Sequence, residues 1–140
     1  MNKSRTDTHA TPPILRDTWS KKYGPFSEFD PCPLGGLEDP AVPDGLQYDW
    51  PIDSGTVFVN PPYSRLKSTK KHGIGWVEKM ANEGRRGRRI VALLPSRTGV
   101  SWFHEYIYIN DNAIVVFLRG RIKFGTRNSA PFDNMLVIFG

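Results

Sequence analysis

The run Thr56-Val57-Phe58-Val59-Asn60-Pro61-Pro62-Tyr63 passes within a few residues from a strand to a stiff bend. Thr56 to Val59 is an apolar stretch rich in strand formers, of the kind that fills a buried strand. Pro61 and Pro62 end it, because a proline brings no N–H to a ladder. Asn60 therefore stands at the carboxyl end of a strand. Ligands in open α/β sheets collect at such ends. Four specified residues, two of them proline, arise by chance in a chain this long with a probability on the order of one in a thousand or less. The plainer alternative is a proline turn that merely ends a strand.

Outward from this run, hydrophobic spacing lays out alternating elements. Thr11-Pro12-Pro13 opens a helix expected over residues 14–23, with Gly24 after its end. Residues 26–30 read as a short strand ending at Asp30. Residues 31–46 hold four prolines and three glycines and form a long irregular connection, a candidate ligand loop. Residues 64–73 are polar and basic and are expected to be mobile. Trp76, Val77 and Met80 mark one face of a helix over 74–83, stopped by Gly84. Residues 90–94 and 113–118 read as buried strands. Between them lies a helix over 100–109 that packs through Trp102, Phe103, Tyr106 and Ile107. Residues 121–124 and 134–139 are expected to pair as a closing antiparallel hairpin. The pattern predicts an α/β layered sheet. Residues 1–10 are expected to be a disordered N-terminus, and residues 11–140 a single domain.

Composition bounds the function. Apolar residues make up 39% of the chain, and Gly and Pro together 25 of 140, so the chain is globular and rich in loops. Its apolar runs are too short to span a membrane, and no apolar leader opens the sequence. One cysteine, Cys32, excludes an internal disulfide framework and suits a reducing cytoplasm. Cys32 has no evident partner base and reads as a small buried filler. His9, His72 and His104 are scattered, so no zinc cluster is expected.

The net charge of +5 is unevenly spread. From 24 to 64 there is no Lys or Arg and there are seven acids. From 65 to 89 there are nine basic residues against Glu78 and Glu83. The acidic stretch suits a cationic small ligand and the basic one suits phosphates. Solvated surface charge is the alternative in both cases.

Chemistry explains the residue types in the motif. The exocyclic nitrogen of adenine is a poor nucleophile, because its lone pair is delocalised into the ring. Two acceptors aimed at its N–H bonds would draw it toward tetrahedral geometry. The Asn60 side-chain oxygen and the Pro61 carbonyl are those acceptors, and Pro61 and Pro62 hold them in place. Tyr63 offers a face on which an extruded base can stack.

At these residues the chain resembles the amino-methyltransferases that carry Asp/Asn-Pro-Pro-Tyr. It is most similar to the short phage and prophage DNA N6-adenine methyltransferases of the Dam type. The resemblance runs from about Thr11 to Phe139. It includes Thr-Pro-Pro at 11–13, Phe-Asp-Pro-Cys at 29–32, Asp-Gly-Leu at 44–46, Leu-Pro-Ser-Arg-Thr at 94–98 and Gly-Arg-Ile-Lys-Phe at 120–124. It implies a compact Rossmann-like methyltransferase sheet with flanking helices and a C-terminal β-hairpin, with S-adenosyl-L-methionine as methyl donor. It places Thr11, Pro12, Asp30, Pro31 and Asp44 at the cofactor, and Asn60, Pro61, Pro62 and Tyr63 at the reacting amine. DNA is then the partner, with Ser64, Arg65, Lys67, Lys70, Lys71 and Arg97 at the nucleic acid. Arg85, Arg86, Arg88 and Arg89 are also expected on phosphates. The setting is a cytoplasm, the bacterial host's if the chain is phage-encoded.

The chain departs from larger methyltransferases in two respects. The glycine-rich cofactor loop is replaced by Asp30-Pro31-Cys32-Pro33-Leu34-Gly35-Gly36, and there is no length for a separate target-recognition domain. Sequence reading falls to the loops at 64–73, 96–99 and 125–133, or to a homodimer or partner subunit. The motif also serves enzymes acting on RNA adenine, on cytosine N4 and on protein glutamine, and Asp30 and Asp44 also suit simple turn capping. A DNA-binding accessory protein with little catalysis is the remaining alternative.

Overall fold

In the computed structural model, residues 10–34, 39–123 and 132–140 are described. Helix α1 spans Pro13–Tyr23, with Pro in its first turn and Lys21 and Lys22 in its last, where cations favour the helix dipole. Strand β1 is Val57–Val59. A 3-10 turn over Tyr63–Arg65 follows, then helix α2, Trp76–Arg85. Strand β2 is Ile90–Pro95. Helix α3 begins at Ser101–Phe103 and widens into a π turn over His104–Tyr108. Strands β3, Ala113–Phe117, and β4, Asn134–Phe139, complete the order.

The four strands form one sheet in the order β1-β2-β4-β3. β1 runs parallel to β2, with Val57 opposite Ile90. β4 is antiparallel to both β2 and β3, so β1, β2 and β3 all point the same way. Both faces are covered, which is why β2 and β4 read as unbroken apolar runs. Val57, Val59, Ala92, Leu94 and Val137 pack with Trp76, Met80 and Ile107 of α2 and α3. Phe58, Val91, Leu93 and Leu136 pack on the other face with Trp19 of α1. The helices fall where their spacing predicts, within two residues at each end.

Four expectations require correction. Residues 26–30 form no extended strand; Phe26 makes a single bridge to Thr56. Two prolines and an Asp turn leave this segment few ladder partners. β4 pairs with β2 and β3 rather than with residues 121–124, of which 121–123 form no strand and 124 lies outside the described residues. β3 is not a buried strand: it lies at one edge of the sheet, with Ile114 58% and Phe117 62% exposed. Residues 64–73 have a defined path. Leu66 is buried, Thr69 and Gly73 exchange two backbone hydrogen bonds, and Ser68 Oγ bridges Glu78 to the Gly75 amide. The disorder expected for the N-terminus falls on residues 1–9, outside the described residues, together with Ala10 at their start.

The lower end of the sheet is fastened by a buried cation. Arg88 is 1% exposed, and its guanidinium donates to the carbonyls of Asp53 and Gly55 and to the Asp53 carboxylate at 3.0 Å. Arg88 therefore binds the loop before β1 to the start of β2. It is committed to this contact and not to phosphate. Ser27, the Gly55 amide and Arg88 all donate to Asp53 and hold its pKa below the ordinary 3.8. A depressed carboxylate contributes stability above its unfolded value and loses it as the pH falls through the folded value. Asp53→Asn should accordingly flatten the acid limb of a plot of Tm against pH. Arg88→Ala removes a buried side chain and its hydrogen bonds to the loop before β1, and urea denaturation should show a loss of about 1–3 kcal/mol.

Candidate active site

Asn60 follows the last residue of β1, and the two prolines behind it are buried. The Arg65 amide donates to the Pro62 carbonyl and closes the turn. The Asn60 Nδ2 donates to Thr11 Oγ1 at 3.0 Å. This contact joins the motif to the segment that enters α1, and it turns the carbonyl end of the Asn60 amide away from Thr11.

Tyr63 is fixed from two sides. Its hydroxyl accepts a hydrogen bond of 2.8 Å from the Nδ2 of Asn134, a fully buried residue that heads β4. The same Nδ2 donates to the Leu94 carbonyl at the end of β2, while Asn134 Oδ1 is buried without a partner among the described residues. The ring of Phe132 lies 5.4 Å from that of Tyr63, and the Arg97 guanidinium stands 5.8 Å from the Phe132 ring. Burial pushes the Tyr63 hydroxyl well above its usual pKa, against the smaller opposing effects of Asn134 and Arg97, so it stays neutral.

Two hollows adjoin the motif. The first, about 170 Å³, is lined by Thr11, Arg16, Asp30, Cys32, Phe58 and Asn60 among others. The second, about 310 Å³, is bounded by Pro31, Cys32, Asp44, Gly45, Arg65 and Trp76. Cys32 is common to both. Asp30 Oδ1 accepts from the Cys32 amide and Asp44 Oδ1 from the Leu46 amide, so each carboxylate caps its own turn. The surrounding protein raises the pKa of Asp30, outweighing the Cys32 amide and the Arg16 charge. Burial, helped by Asp30 and Asp44, pushes the Cys32 thiol up to about 12, which makes it inert as a nucleophile. The Trp76 Nε1 on the wall of the larger hollow is buried with no hydrogen-bond partner among the described residues.

A family model described as DNA N-6-adenine-methyltransferase (Dam) matches residues 40–135, more than half of the chain. The chain belongs to this family. It is a DNA adenine methyltransferase that uses S-adenosyl-L-methionine to methylate the N6 amine. Adenine in DNA is thus selected from the acceptors that the motif alone leaves open. No curated protein and no solved structure matches the chain. No helix among the described residues is long and apolar enough to cross a membrane.

In the methyltransferase the expected residues fall into three groups. Thr11, Asp30 and Asn60 share the smaller hollow, and Pro31, Asp44 and Arg65 border the larger one. Pro12 caps α1 beside Thr11. Ser64, Lys67, Lys70, Lys71 and Arg97 are exposed on the end of the sheet where β1 and β2 finish. Arg85, Arg86, Arg88 and Arg89 are not with them. They lie where α2 ends and β2 begins, a strand's length of roughly 20 Å away. Arg86 is paired with Glu83 and lies 4.0 Å from Asp49. Arg16, Phe132 and Asn134 also stand at the site without having been expected there, and Trp76, expected only to pack, lines the larger hollow. The one local signal was Asn134, a polar residue at the head of an otherwise apolar strand.

Gly45 holds the two aspartate turns together. A Cβ built there would sit 2.2 Å from the Pro31 carbonyl oxygen, and the Gly45 carbonyl accepts from the Trp50 indole at 2.8 Å. Gly45→Ala should push the Pro31 and Asp44 segments apart. We expect calorimetry to show binding of S-adenosyl-L-methionine weakened at least about tenfold, while the apolar sheet keeps its far-ultraviolet signature.

Proposed function

We propose that Asn60 Oδ1 and the Pro61 carbonyl accept the two N–H bonds of an extruded adenine, with Tyr63 stacked on the base. The observation that carries this reading is the Asn60–Thr11 hydrogen bond, which orients the amide at the mouth of the smaller hollow. Two acceptors aimed at the amine favour the nitrogen as it becomes tetrahedral. The Asn134 bond and the Phe132 contact keep the Tyr63 ring from turning.

The two hollows suit the cofactor. Asp30 and Asp44 each have a second carboxylate oxygen for amino or hydroxyl groups, Arg16 is a cation for a carboxylate, and the Trp76 N–H lacks an acceptor among the described residues. Together with Thr11, Pro12 and Pro31, these residues would hold S-adenosyl-L-methionine, which supplies an electrophilic methyl group. The family match begins after Thr11, Pro12, Asp30 and Pro31, so their assignment rests on the hollows. Three parallel strands, helices on both faces and hollows at the strand ends support a compact Rossmann-like sheet within a single domain from residue 11. A DNA substrate and a single free thiol fit a cytoplasmic setting.

We assign the DNA backbone to Ser64, Arg65, Lys67, Lys70, Lys71 and Arg97. Lys70 and Lys71 stand on the turn closed by Thr69 and Gly73. Neutralising both should reduce the salt slope of DNA binding by about two, close to one per phosphate contact. Neutralising Arg85 and Arg89, at the other end of the sheet, should leave the slope unchanged. An equal change from both pairs, in a salt titration, would show that the surface is not polarised in this way.

Single-turnover methylation tests the motif. Asn60→Ala should slow the chemical step by roughly 100-fold or more, with DNA and cofactor affinity little changed. Tyr63→Phe keeps the stacking face but deprives Asn134 Nδ2 of an acceptor, so it should remain active and lose about 1 kcal/mol of stability. Tyr63→Ala should weaken the hold on the base by about 1–3 kcal/mol. A fully active Asn60→Ala protein would overturn the assignment.

A further inference from the structure

We propose that the free edge of β3 pairs with the same edge of a second copy, joining two four-stranded sheets across a two-fold axis at Val115. Among the described residues β3 pairs only with β4. Monomeric proteins usually blunt such an edge with lysine, proline or a bulge. β3 is Ala113-Ile114-Val115-Val116-Phe117 and carries none of these. The strand also leaves large apolar side chains exposed, Ile114 at 58% and Phe117 at 62%.

Backbone parity fits this pairing. The Leu118 amide donates to the Asn134 carbonyl, so the even-numbered residues of β3 turn their backbone groups toward β4. Ala113, Val115 and Phe117 therefore turn theirs to the open edge. An antiparallel pair centred on Val115 places Val115 opposite itself and Ala113 opposite Phe117, so the outward groups meet. The Ala113 amide is already bonded to the Asn110 carbonyl. About four backbone hydrogen bonds remain, two between the Val115 residues and one from each Phe117 amide to an Ala113 carbonyl. Large Phe117 lies over small Ala113, and Ile114 meets Val116.

Charge selects a second copy as the occupant. An antiparallel pair brings the turn before β3 of one copy, with Asp111, to the bend after β3 of the other, with Arg119, and this meeting occurs twice. Both residues are exposed, and neither is paired with another described residue. The flanks of the strand are thus complementary to themselves in the antiparallel sense and to nothing in the parallel sense. The edge lies across the sheet from β1, so Asn60 is left uncovered in both copies.

Sedimentation velocity over a wide concentration range, without DNA, tests the proposal. The wild-type chain should dimerise. Asp111→Arg alone or Arg119→Asp alone should raise the dimer Kd by about tenfold, and the two together should restore it. Val115→Pro should abolish the dimer. It removes an amide that faces outward and leaves the β4 ladder intact, which circular dichroism and methylation per subunit would confirm. A chain that is monomeric throughout, with the edge covered by its own residues or left bare, overturns the proposal. So does a dimer indifferent to all of these substitutions.

Discussion

β1, β2 and β3 run in one direction, and the reversed β4 is inserted between β2 and β3. That single constraint of direction sets out the rest of the methyltransferase. The ends of β1 and β2 and the beginning of β4 arrive at one edge, so Asn60, Pro95 and Asn134 come within reach of one another although they are far apart in sequence. The buried amide of Asn134 then links the Leu94 carbonyl to the Tyr63 hydroxyl. A side chain that touches three elements in this way does more for the shape of the site than its own modest bond energies suggest, since each partner fixes the others.

Buried charge has two separate tasks. Arg88 supplies donors where the loop before β1 has unpaired carbonyls. Lys79 and Glu83, four residues apart on α2, form a pair at 2.8 Å, and the Lys79 Nζ also reaches the Tyr48 carbonyl. Neither contact is a stability gain by itself, because desolvation offsets much of the attraction. Their effect is positional. Lys79 draws the irregular connection against α2, beside the aromatic cluster of Phe29, Tyr48, Trp50 and Trp76. The walls of the larger hollow rest on that cluster.

Much of this could be read from the chain in advance, for reasons that differ by element. The helices carry their own punctuation in Pro13, Gly24 and the Trp76-Val77-Met80 spacing, so their spans were legible. Asn60 at a strand end was legible because two prolines forbid a continued ladder. What escaped was non-local. Ala113–Phe117 has the composition of an interior strand, and nothing within it says that the sheet ends there. The cluster 84–89 reads as one basic patch, yet burial of Arg88 depends on carbonyls more than thirty residues earlier. The pairing of Thr11 with Asn60 spans 49 residues and could be anticipated only through family resemblance.

The direction of β4 also governs where the molecule can be handled. The strand leaves the catalytic edge at Asn134 and reaches the opposite edge at Phe139, so Gly140 lies beside Arg88 and Arg89, away from Asn60. Ala10, in contrast, is part of the lining of the smaller hollow. A fluorophore or surface anchor attached near Gly140 stays clear of Asn60 and of both hollows, whereas the same group attached at Ala10 stands at the smaller one.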